Sequence, residues 1–249
     1  MSSDPEKIRV RIFCIKIETY FLTKCLLCNL LLVVAVCLLN YCYMSQGYAF
    51  FFKCTASIGF ALMGLLNLGC ALLTRHPNRP FFFLAALGML LALLGDCLIN
   101  GNFLAGAGAF AAGHLSFLAA FCCLGRFRRA DLLFSLLFAL GGGGFLLLDP
   151  ALVFPSPVIL WGCVVYCGII SVMVGKGLGN LLAHKSPATL LLATGGVLFY
   201  FSDLMLVLDG FAHMDWASEA CIATYYPALC LLGMGIFFAV IDRRVAPRR

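Results

Sequence analysis

Apolar residues fill this chain in long runs separated by short polar breaks. A helix that crosses a bilayer needs about 20 consecutive apolar residues. Runs of that kind occupy residues 25–45, 50–74, 81–100, 103–124, 131–148, 157–175, 188–209 and 219–241. The breaks include RHPNRP, NGN, GRFRRAD, DPALVFPSP, GKGLGNLLAHKSP and GFAHMDWASEA, rich in residues that punctuate helices. The fifth run is the weakest, because glycines 141–144 lower its helix propensity, although membranes tolerate glycine better than water does. The pattern predicts an all-α integral membrane protein with eight transmembrane helices. It divides the chain into a basic lead-in at 1–24, an eight-span membrane domain at 25–241 and a basic tail at 242–249.

Composition agrees. Of the 249 residues, 63% are hydrophobic and 11% charged, and the mean hydropathy is +1.03; soluble domains lie near half apolar and about a quarter charged. The net charge of +6 takes its meaning from placement and does not read as nucleic-acid binding. With eight spans and a cytosolic N-terminus, 16 of the 17 Lys and Arg fall in cytosolic segments, Lys53 being the exception. The opposite loops carry Asp149, Asp215 and Glu219 and no basic residue. This asymmetry supports the span count and places both termini in the cytosol. Such an orientation fits the endoplasmic reticulum of a eukaryote or the inner membrane of a bacterium. The first apolar run is too long for a signal-peptide core and lacks a small-x-small cleavage site after it.

Fourteen cysteines would suggest a disulfide framework in a secreted chain. Here most lie in apolar runs, where a thiol behaves as a small hydrophobe. Cys25 and Cys28 have C-x-x-C spacing, but no second pair or histidine cluster accompanies them, so neither metal nor redox use is expected.

Ionisable groups inside spans are costly and usually face the bundle interior. Asp96 stands alone in LALLGDCLIN, and Asp203 lies in GGVLFYFSDLML. His114, Tyr166, Tyr225 and Tyr226 occupy other spans, and Lys53 opens the second. At 1.5 Å per residue all of these but Lys53, which lies nearer the interface, sit roughly 6–17 Å below the outer boundary. The matched depth predicts one water-accessible cavity open to the outer leaflet, with nothing comparable in the cytosolic half. Lys53 either snorkels to the headgroups or faces inward as a counter-charge. The aspartates also sit in similar contexts in spans three and seven, a faint echo of two four-span halves.

Taken in order, Lys53, GDCLI with Asp96, FAAGHLSFLAAF with His114, YCGIISVM with Tyr166, GGVLFYFSD with Ser202 and Asp203, and TYYPALCLL with Tyr225 and Tyr226 resemble the YhhN-like lysoplasmalogenase family of eight-span membrane proteins. Two positions depart from that pattern. Phe117 stands where the family usually has Tyr, and Leu229 where it usually has Gln.

The resemblance implies hydrolysis of the vinyl ether of a lysoplasmalogen, giving a fatty aldehyde and glycerophospho-ethanolamine or -choline. That chemistry needs a carboxylic acid still protonated near neutral pH, an anion beside the developing cation, and a base for water. Paired carboxylates divide such roles in acid–base hydrolases. Asp96, Asp203 and His114 are the expected catalytic residues, with Lys53, Tyr166, Ser202, Tyr225 and Tyr226 binding substrate. The partners implied are the lysophospholipid and the bilayer, with no metal or cofactor. Two other readings stay open. A non-catalytic lysolipid-binding relative would fit Phe117 and Leu229, and a proton-coupled transporter would fit intramembrane Asp and His.

Overall fold

The computed structural model describes residues 5–242, with side chains described from Thr19 onward. The basic side chains Lys7, Arg9, Arg11 and Lys16, and the tail with Arg243, Arg244, Arg248 and Arg249, lie outside that set. Among the described residues there are eight α-helices and no strands: α1 (Pro5–Ser45), α2 (Phe50–Leu73), α3 (Arg79–Leu98), α4 (Phe103–Cys122), α5 (Arg129–Leu148), α6 (Pro157–Ala183), α7 (Pro187–Ala212) and α8 (Asp215–Ile241). Each contains a segment long and apolar enough to cross a membrane. The starts carry recognisable chemistry. Asn102, Ser156 and Ser186 accept from the first-turn amides of α4, α6 and α7, and proline follows the cap in α6 and α7.

Within each half of the chain, α1–α4 and α5–α8, consecutive helices pack side by side. The contacts α1–α2, α2–α3 and α3–α4 recur in the second half as α5–α6, α6–α7 and α7–α8. Between the halves, α4 packs on α6 and α8 packs on α2, so those two contacts are also equivalent when the halves are exchanged. Helix α1 lies at the periphery against α2 and α8. A polar ladder pins it there: Asn29 Nδ2 donates to Asn67 Oδ1 at 2.9 Å, and Asn67 Nδ2 donates to the Gly233 carbonyl at 2.8 Å.

Two expectations need correction. Helix α6 does not stop at residue 175 but runs through GKGLGNLLA to Ala183. Nor is the half of the bundle holding that extension free of buried polar groups. Lys176 Nζ donates to Asp131 Oδ2 and Asn180 Oδ1, both at 2.9 Å, and to the Arg126 carbonyl at 3.0 Å. Lys176 is 1% exposed and Asp131 fully buried. The glycines that read as a loop let α5 press onto α6, since a Cβ on Gly179 would overlap the Asp131 carboxylate. The GGGG tract likewise stays helical, and a Cβ on Gly142 would run into the Tyr200 hydroxyl and stand 2.6 Å from Cys167 Sγ.

Candidate active site

Apart from the Lys176–Asp131 group and the Asn29–Asn67 ladder, the interior polar residues discussed below form two clusters, one around Asp96 and one around Asp203. Both lie toward the end of the bundle where the even-numbered helices begin, called the outer end after the charge pattern.

Around Asp96, the α3 carboxylate accepts through Oδ2 from Ser57 Oγ at 2.6 Å and from Tyr225 OH at 2.8 Å. Lys53 Nζ stands 3.9 Å from Oδ1 and donates to Asn100 Oδ1 at 3.2 Å. The lysine therefore faces inward and does not snorkel, with 6% of its surface exposed. Tyr226 OH donates to the Lys53 carbonyl at 3.2 Å. Every polar group here has a partner of matching character, as burial requires.

The Asp203 cluster differs in composition and surroundings. Tyr166 OH on α6 donates to Asp203 Oδ2 at 2.7 Å, and His114 Nε2 on α4 lies 3.1 Å from the same oxygen and 2.8 Å from the tyrosine hydroxyl. With its proton on Nε2, the imidazole donates into this triangle. Among the described residues His114 Nδ1 is buried without a partner. Both donors converge on Oδ2, and among the described residues none holds Oδ1. The aspartate side chain is 12% exposed and borders a cavity of about 240 Å³ walled by α4, α6 and α7, with Leu146 of α5. Apart from Asp203, Tyr166 and Tyr200, that wall is hydrocarbon, glycine and thiol.

The clusters are equivalent under the exchange of halves. Each carboxylate stands on the third helix of its half. Each accepts from the second helix of that half, Ser57 or Tyr166, and meets a ring from the fourth helix of the other half, Tyr225 or His114. No hydrogen bond joins them among the described residues. Between them Phe199 packs edgewise on His114 at 4.6 Å and on Tyr225 at 5.3 Å between ring centroids.

The geometry thus gathers Asp203 and Tyr166 at the cavity, with His114 buried beside them and reaching both, and Asp96, Lys53, Tyr225 and Tyr226 in a packed cluster behind it. The cavity beside Asp203 is not lined by all of them, because matched depth leaves open which way each side chain points around its helix. Ser202 joins neither cluster; it is buried 3.6 Å from Cys221 Sγ of α8. Phe117 and Leu229 are fully buried and do not line the cavity. Cys25 is buried beside Cys70 while Cys28 is exposed, so the C-x-x-C pair does not converge.

Sequence reasoning missed Ser57 and Asn100. Each lies four residues, one helical turn, beyond a residue it did single out: Lys53 for Ser57 and Asp96 for Asn100. That spacing was the available signal.

Eight apolar helices carrying buried carboxylates, one of them beside an apolar cavity, make this a multi-pass membrane protein with a polar interior site. The YhhN family matches residues 48–236, from the turn before α2 into α8, and the chain belongs to that family. No curated protein and no solved structure matches it.

Proposed function

We propose that the protein hydrolyses the vinyl ether bond of lysoplasmalogens, with Asp203 as the group that exchanges protons with the substrate. The observation that carries this reading is a carboxylate with one oxygen tied by Tyr166 and His114 and the other unbonded among the described residues, on the wall of an apolar cavity. Membership of the YhhN family supports the same reading, as does the multi-pass architecture that a lipid substrate calls for.

The chemistry runs as follows. A proton on Asp203 Oδ1 passes to the β-carbon of the vinyl ether, leaving an oxocarbenium ion beside the new carboxylate. Water adds to the cationic carbon and returns its proton to Asp203. The hemiacetal collapses to a fatty aldehyde and the glycerophospho-alcohol. Tyr166 and His114 hold Oδ2 throughout, fixing the carboxyl plane and supporting its charge when the proton has left. Asp96 acts from the second cluster, where with Lys53 it anchors Tyr225 against Phe199 and so backs His114.

The test is aldehyde release from a lysoplasmalogen by purified protein in detergent, with the saturated lysolipid as control. Asp203→Asn is expected to abolish release with folding intact. Asp96→Asn is expected to reduce it. Full release by Asp203→Asn would overturn the assignment. Tight lysolipid binding without any aldehyde would identify the non-catalytic relative.

A further inference from the structure

Glycine in a helix has a structural reason when another helix presses against it. Gly106 is such a case, since a Cβ there would stand 2.5 Å from the Ile99 backbone. Gly108 and Gly162 are not. A Cβ at either meets nothing within 4 Å, yet both line the cavity beside Asp203 and both are exposed. Glycine lowers helix propensity wherever it stands, and helix packing does not account for these two.

Their register explains them. Gly108 lies five positions beyond Phe103, which begins α4, and Gly162 five beyond Pro157, which begins α6. The two helices start at the same end of the bundle and pack together, so the glycines share a depth. Tyr166 follows Gly162 by one turn, about 6 Å further in. Leu104 and Val165 border the same cavity and are 55% and 63% exposed, so the opening faces the lipid side. Buried Leu146 and Ile170 lie on the cavity's inner wall.

We propose that Gly108 and Gly162 frame a lateral mouth that admits the single hydrocarbon chain of a lysolipid, and that their missing side chains determine which chains enter. This rests on the lysolipid reading above. The walls suit one linear chain because they are apolar except at the carboxylate and two tyrosine hydroxyls. A chain passing between the glycines brings its ether end within about one helical turn of Tyr166, whose hydroxyl donates to Asp203.

The experiment compares Gly108→Leu and Gly162→Leu with Gly141→Leu. Gly141 also stands in open space and is exposed, but lies away from the cavity. Binding is measured first, with 1-O-hexadecyl-lysophosphoethanolamine, which has no vinyl ether, on purified protein in detergent. Gly108→Leu and Gly162→Leu should each weaken binding about tenfold or more, the equivalent of excluding about two methylenes. Gly141→Leu should bind as wild type, and all three should melt with it. In hydrolysis the same two variants should raise KM and keep kcat. Wild-type binding by Gly108→Leu and Gly162→Leu would overturn the mouth. Weakened binding with no aldehyde even from wild type would keep the chain site and sink the hydrolase. Aldehyde release with unchanged KM in both variants would do the reverse.

Discussion

Replacing Tyr166 by Phe removes one hydroxyl from the cavity wall. The ring still packs on His114, whose centroid lies 5.3 Å away, and His114 Nε2 still reaches Asp203 Oδ2 at 3.1 Å. What disappears is the 2.7 Å donation to the carboxylate, together with the hydroxyl's 2.8 Å contact with His114 Nε2. A hydrogen bond to a charged group contributes about 1.5–3 kcal/mol and one between neutral groups about 0.5–1.5. The tyrosine meets a neutral carboxyl before proton transfer and a carboxylate as the transfer proceeds. Only the difference, about 1–1.5 kcal/mol, acts on the barrier. At about 1.4 kcal/mol per tenfold, kcat should fall about 5- to 12-fold with KM little changed. Aldehyde release can be followed through a coupled aldehyde dehydrogenase, at saturating lysoplasmalogen in detergent. A rate equal to wild type would refute the idea that this hydroxyl supports Asp203 as it loses its proton. A loss above about a thousandfold would make Tyr166 the proton donor itself, because a supporting hydrogen bond does not reach that size.

Two further predictions concern stability. Lys176→Met leaves Asp131 buried without its counter-charge and should cost about 3–5 kcal/mol, read as a lower melting temperature in detergent; adding Asp131→Leu should recover much of it. Gly142→Ala drives a Cβ into the Tyr200 hydroxyl and against Cys167 Sγ, so about 1–3 kcal/mol of overpacking should exceed the helix-propensity gain of about 1. A variant as stable as wild type would mean that α5 can shift away from α7.

The eight spans were legible because bilayer thickness imposes a length that composition alone reveals. The end of α6 was not. GKGLGN has loop composition, and its helical state is decided by partners far along the chain, Asp131 to neutralise Lys176 and Ser135 to sit against Gly175. At the site, position along the sequence gives depth in the bundle, and depth brought Asp96, His114, Tyr166 and Asp203 to one level. Rotation about each helix axis is a second coordinate that near-uniform hydrophobicity leaves unmarked. It places Asp203 against the cavity and Asp96 behind it, and it turns Ser202 toward Cys221, away from the Asp203 cluster.

The reciprocal arrangement of the clusters bears on how the molecule is made. Helices are synthesised in order, and the groups that complete the Asp203 triangle reside on α4, α6 and α7. That site closes before the last helix exists. Asp96 and Lys53 are built early but wait for Tyr225, which arrives only with α8. A nascent chain thus carries a half-satisfied charge pair through most of its insertion. The final helix is the one that completes it, so a chain cut short before α8 would keep the Asp203 triangle and leave the Asp96 carboxylate without its Tyr225 donor.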